Sequence, residues 1–288
     1  MWQLLIILFL GFGTTNVLLR RILAKELGEH NRLINAFFYV FFLFPAALIL
    51  TFVFPHNLNI GIVNFLLLVF GSIIWPIAYI LVFRANKIVD AGIIVIINNL
   101  NPLFTLAIAT TLLNEVLDGP QLLGIGLLIL SGILAASTFL KKQNRVSPQG
   151  IALCVLCAAL FGVGIAYERF MLGSVDLGAF ILYGWTAQVV WSILFARKDL
   201  RTLPRLFEKH AKKRMTLVAW GIANTLKSAS FLVALKLSGS ASIMSATTNF
   251  MAVAVVISAY FFLNEKDHMR EKWLSAGIGI VGLFLITT

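Results

Sequence analysis

Apolar runs of about the length that crosses a bilayer repeat along the whole chain, separated by short polar breaks. A helix needs about 20 mostly apolar residues to span the hydrocarbon layer. By that rule the pattern predicts ten spanning helices, near 2–20, 33–54, 61–84, 89–113, 120–140, 149–169, 177–196, 215–236, 240–263 and 271–287. The breaks carry turn residues and charge: Glu26 to Arg32, Phe54-Pro55-His56-Asn57, Asp118-Gly119-Pro120 and Lys141 to Pro148. The joins at 84–89 and 236–240 are very short, with Lys87 and Lys236 beside them. The largest break, Arg197 to Arg214, holds eight basic residues and is expected to lie as a short helix on the membrane surface. The first run precedes Arg20 and Arg21 and has no charge ahead of it, so it is expected to be an uncleaved span rather than a signal peptide.

Composition agrees with a bilayer as solvent. Of 288 residues, 60% are hydrophobic and 12% charged, against about 25% charged in soluble domains, and the mean hydropathy is +0.94. The net charge of +11 does not point to nucleic acid, because the basic residues sit in the breaks. With the loops numbered in chain order, 20 of the 23 lysines and arginines belong to odd-numbered loops. Positive-inside retention then predicts that those loops are cytoplasmic and that both termini lie outside the plasma membrane. The Cys154-x-x-Cys157 pair lies within an apolar run and is expected to be core.

The chain also repeats itself. Ala109, Leu113, Asn114 and Glu115 recur as Ala259, Leu263, Asn264 and Glu265, a spacing of 150, and Gly132 recurs as Gly282. Lys87 and Lys236 match at 149. This predicts an all-α integral membrane protein of two five-helix units, 1–140 and 149–288. Five is odd, so the second unit is inverted relative to the first, an arrangement found in secondary transporters with a central site between the halves.

The order and duplication of these motifs resemble the drug/metabolite transporter superfamily, in particular its ten-span EamA-type members. The first repeat carries the resemblance in Asn101-Pro102-Leu103-Phe104, Asn114-Glu115, Gly124-x-Gly126 and Gly132. The second carries it in Asn264-Glu265, Gly277-x-Gly279 and Gly282. Where the first repeat has Pro102, the second has Met251 or Ala252. The small multidrug pumps of the superfamily use an acid in their first helix, whereas this first span offers Thr14, Thr15 and Asn16. Relatives are drawn with cytoplasmic termini, opposite to the charge count. The resemblance implies a secondary transporter working by alternating access.

Ionisable groups at the membrane centre are costly and mark function by default. Lys227 is the thirteenth residue of its predicted span and too deep to reach water easily. It is expected to bind an anionic group of a substrate, or to stand in for a coupling cation; Glu168 or helix carbonyls could instead satisfy it. Asn224 lies at i−3 on the same face. Asn98, Asn101 and Pro102 predict a kinked fourth helix with amides on its inner side, which serve either a polar substrate or helix contact. Asn249, with Thr247 and Thr248, is the related patch in the second repeat. Trp75 corresponds to Asn224 at the 149 spacing, so both are expected on cavity walls. Asn16 completes the candidates, with Tyr167, Trp185 and Gln188 as weaker ones. Glu115 and Glu265 end their spans and are expected to hold turns, and Glu168 to pair with Arg169 at the interface.

The histidines, His30, His56, His210 and His268, all fall in loops, and no nucleophile–base or metal set accompanies them. An enzyme is therefore not expected, nor direct use of ATP, since no Gly-rich loop leads into a Lys-Ser or Lys-Thr pair. The expected partners are the lipid bilayer, a small polar or amphipathic metabolite such as an amino acid or related organic acid, and a coupling proton or ion; no cofactor, metal or nucleic acid is expected. The alternatives are an exporter of cationic drugs and a non-transporting scaffold.

Overall fold

The computed structural model describes residues 2–27, 30–88, 97–98, 100–140, 148–202, 213–263 and 269–287. All regular structure among them is helical, and it forms ten rods. They are α1 (Trp2–Leu27), α2 (Asn31–Val53), α3 (Gly61–Gly71 and Ile74–Ile88), α4 (Asn101–Leu112), α5 (Gly119–Leu140), α6 (Pro148–Ser174), α7 (Leu177–Ala196), α8 (Arg214–Ser238), α9 (Ala241–Leu263) and α10 (Met269–Thr287). Six are long and apolar enough to cross a membrane by the described residues alone. Large apolar side chains such as Phe52, Ile62, Leu112 and Phe284 point outward, as expected of a surface solvated by lipid. This is an all-α membrane protein.

Several helices depart from the simple pattern, each at an identifiable residue. α1 continues past residue 20 to Leu27, because arginine is a good helix former. α3 breaks at Ser72 and Ile73, just ahead of Pro76, and restarts at Ile74. The fourth span does not run unbroken to 113. Ile97 and Asn98 are helical, Leu100 turns, and α4 begins at Asn101. Pro102 therefore starts a helix instead of kinking one, in the first turn where its missing N–H is no loss. Residues 89–96 of that predicted span lie outside the described residues, as do 203–212 of the predicted surface helix, whose start shows only the turn Leu200–Thr202.

α2 and α7 each contain one π-helical turn, Tyr39–Leu43 and Ile181–Trp185. In α2 this turn precedes Pro45, which cannot donate to the carbonyl four residues back. The wider turn absorbs the missing bond; such turns concentrate at functional sites.

α1 packs on α8 and α3 on α6; α4 packs on α6 and α1 on α9; α5 packs on α10 and on α9, and α4 on α9. Lipid tails are as apolar as leucine, so small residues and hydrogen bonds decide such contacts. At the α5–α10 crossing, Ser131 Oγ donates to the Ser275 carbonyl and Ser275 Oγ to the Ser131 carbonyl, both at 2.8 Å. A Cβ on Gly282 would lie 3.0 Å from the Gly124 carbonyl oxygen, and one on Gly124 would lie 2.8 Å from that of Gly282. Gly282→Val must push these backbones apart and is expected to destabilise the protein by about 1–3 kcal/mol, read as a lower unfolding temperature in detergent.

Candidate functional site

A cavity of about 200 Å³ lies between the helices, walled by residues from α1, α2, α3, α6, α7, α8 and α9 and from the start of α4. It gathers Asn16, Trp75, Asn98, Asn101, Lys227 and Asn249 into one wall system. Of the weaker candidates, Trp185 and Gln188 also line it, whereas Tyr167 does not. Tyr167 instead packs at Gly71 and donates to the Leu67 carbonyl at 3.1 Å.

Lys227 is held by a short chain of hydrogen bonds. Its Nζ donates to the Tyr79 hydroxyl at 3.1 Å, and that hydroxyl donates to Asn224 Oδ1 at 2.9 Å. The ammonium also lies 5.6 Å from the centre of the Tyr79 ring, within cation–π range. Asn224 is therefore not itself a cavity residue. Its exposure is 0%, and it acts one layer back, orienting the tyrosine that holds Lys227.

Two charged residues join the site that the sequence reading had placed elsewhere. Arg20, read as the flank of the first span, lines the cavity because α1 continues a further seven residues to Leu27. Glu168, expected in an interfacial pair with Arg169, is only 6% exposed, lines the cavity and lies within electrostatic reach of Lys227. Arg169 turns away, and its Nε donates to the Gly239 carbonyl at 2.6 Å. Arg20 and Tyr79 each sit at a spacing that could have marked them. Arg20 is at i+4 from Asn16, and Tyr79 at i+4 from Trp75, spacings that share a helix face.

The amides divide between structure and site. Asn101 Oδ1 accepts from Ser245 Oγ at 3.1 Å, and Thr105 Oγ1 donates to Ser245 Oγ at 2.8 Å, tying α4 to α9. Asn101 thus joins helices and faces the cavity at once. By contrast, Asn16 Nδ2 and Asn98 Oδ1 are buried and have no hydrogen-bond partner, while the Trp75 indole N–H faces the Glu168 carboxylate. Unmet groups of this kind cost about 1–3 kcal/mol each, so one donor and one acceptor at a cavity wall are poised for something that enters. Aromatic side chains, among them Phe9, Phe38, Phe161 and Phe231, form the rest of the lining. Small-molecule sites share this make-up of apolar walls with a few convergent polar groups.

Comparison with known proteins fits this picture. The model of the EamA-like transporter family matches residues 1–138, which hold the first five helices. The first half of the chain is thus similar to this family of membrane transporters. A crystal structure of a protein 15% identical in sequence superposes with a TM-score of 0.65 over 96% of this chain and 95% of that one, a likeness of fold. No curated protein matches the sequence.

Tyr79→Phe removes the hydroxyl between Lys227 and Asn224 and is expected to cost about 1–3 kcal/mol of stability. Asn224→Ala should cost a similar amount. If the three residues act as one chain, the double variant loses less than the sum of the singles; denaturation in detergent measures all three.

Proposed function

We propose that the chain moves a small amphipathic metabolite bearing a carboxylate, an amino acid in the first instance, across the plasma membrane by alternating access. The observation that carries this reading is the pairing in one buried cavity of Lys227 and Glu168, with unpartnered amide groups of Asn16 and Asn98 between apolar walls. Lys227, backed by Arg20, supplies a seat for a carboxylate. Glu168 and Asn98 Oδ1 supply acceptors for an ammonium group. The aromatic lining takes the apolar remainder.

Alternating access is supported by the pairing of the helices. Exchanging each helix of the first five with its counterpart five later turns the α1–α8 contact into α6–α3 and the α1–α9 contact into α6–α4, both of which occur. The same exchange maps the α5–α10 and α4–α9 contacts onto themselves and matches the π turn of α2 with that of α7, whereas the α5–α9 contact has no α10–α4 counterpart of comparable extent among the described residues. Two units, 1–140 and 149–288, related as an inverted repeat would rock about the cavity. The Lys/Arg count favours both termini outside the cell.

Glu168 taken alone favours the second reading, export of an organic cation. Two cations against one anion in the wall decide against it, since like charges in a poorly solvated site are costly. The test is uptake into proteoliposomes with labelled amino acids, organic acids and cationic drugs, with and without a pH gradient to report a coupling proton. Saturable uptake of amphipathic amino acids is expected, with Lys227→Ala lowering kcat/KM by about 100-fold or more, the scale of removing a buried charge partner. Glu168→Gln is expected to raise KM for amino acids more than for matched acids lacking the amine. Preferential uptake of cations, or unchanged uptake by folded Lys227→Ala, contradicts the proposal.

A further inference from the structure

Outside the cavity, the most heavily bonded charged side chain among the described residues is Glu115. It follows α4, where Leu113 N and Glu115 N both donate to the Ala109 carbonyl and Asn114 takes the left-handed conformation at φ 52°. Asparagine tolerates that conformation better than most side chains. The turn aims Glu115 away from the next helix, α5, at the N-terminus of α9. Its carboxylate accepts from Ala241 N at 2.6 Å, Ser242 N at 3.2 Å, Ser240 Oγ at 3.0 Å and Ser242 Oγ at 2.9 Å. Backbone N–H groups at a helix start are unpaired within the helix and carry the positive end of its dipole, so a carboxylate is a fitting cap. Here the cap comes from a residue 125 positions away, in the other half of the chain.

Other bonds gather at the same face, where the α2–α3, α4–α5, α6–α7 and α8–α9 turns lie. Arg169 links α6 to the α8–α9 turn at Gly239, and Lys236 links the last turn of α8 to the Leu172 carbonyl of α6. Asn57 N donates to Asp176 at 3.1 Å and Gly178 N to the Pro55 carbonyl at 3.0 Å. Glu115 differs from these in joining α4 to α9, the two helices that carry Asn101, Thr248 and Asn249 to the cavity. In alternating access, an opening toward this face parts the ends of α4 and α9; Glu115 bonds α9 from the C-terminal end of α4, while Asn101 and Thr105 bond Ser245, one turn further into α9, from the start of α4.

We infer that Glu115 is the clasp that keeps the cavity closed toward the face bearing these four turns, and that its release from α9 is the step that opens it. The inference rests on the alternating access proposed above. Glutamine in its place would turn an NH₂ group toward donors and lose the charge, and losing the equivalent of one charge-assisted bond shifts the open-to-closed ratio about tenfold.

The test uses the full chain in membrane vesicles, with Cys154 and Cys157 replaced by alanine. Val116→Cys, at a position 93% exposed beside the clasp, reports which side of the membrane a non-permeant maleimide must be added to. Thr248→Cys then reports access to the cavity from that side, without substrate. With Glu115 intact, Thr248→Cys is expected to react slowly; with Glu115→Gln, about tenfold faster from that side and no faster from the other. The paired change Ser240→Ala and Ser242→Ala removes only the hydroxyl donors and should give a smaller rise; it carries the test if Glu115→Gln does not fold. Equal labelling in all backgrounds while Val116→Cys reacts overturns the clasp. A rise from both sides equally also overturns it, since it would mark general loosening. Faster labelling in a protein that moves no amino acid would leave the clasp standing and remove the substrate reading.

Discussion

A charge inside a bilayer must have a partner or a cavity, because hydrocarbon offers it neither water nor counter-ions. This constraint organises the interior of the protein. Arg20, Lys227 and Glu168 come from three different helices and meet in one cavity. Lys227 is fixed there by Tyr79 and, behind it, by the fully buried Asn224. The cavity in turn explains irregularities that would otherwise be expensive. Proline residues follow the interruptions of α3 and α4, and the π turns of α2 and α7 bring Tyr39, Leu43 and Trp185 to its wall. Irregular backbone at membrane depth is tolerated where it is buried in protein or lines a polar cavity.

The periphery obeys the opposite rule. Outward-facing helix surfaces are apolar, and contact between helices relies on small residues and on short-range hydrogen bonds. The Gly124–Gly282 approach and the reciprocal Ser131–Ser275 bonds hold α5 to α10, while Asn101, Thr105 and Ser245 join α4 to α9. Stable contact at the α5–α10 edge together with polar contact at the centre is what the proposed rocking of two halves would use.

Hydropathy alone made the ten helices legible, because spanning length is set by the bilayer and not by tertiary detail. Lys227 was legible for the same reason, as a lysine in mid-run stands out whether it binds a substrate or is satisfied by Glu168 or helix carbonyls. Arg20 and Glu168 were not, because a charge near the end of an apolar run looks like an interfacial flank. The 20-residue rule stopped α1 seven residues short of Leu27 and so left Arg20 outside. Tyr79 was passed over because a tyrosine in a span is unremarkable until something bonds its hydroxyl. Pro102 was read as a kink, since the interruption just before it, at Leu100, leaves no mark in hydrophobicity. The partner of Glu115 was out of reach altogether: the repeat showed that the residue mattered, but nothing local connects position 115 to positions 240–242.

The central claim is that a substrate carboxylate sits on Lys227. Calorimetric binding of a transported amino acid and of its carboxamide, each to wild type and to Lys227→Ala, isolates that one contact. If the carboxylate meets Lys227, the carboxamide binds wild type roughly 30-fold or more weaker, and the difference largely disappears in Lys227→Ala. A preference for the carboxylate that survives intact in Lys227→Ala would contradict the claim and assign the anion to Arg20 or to another part of the chain.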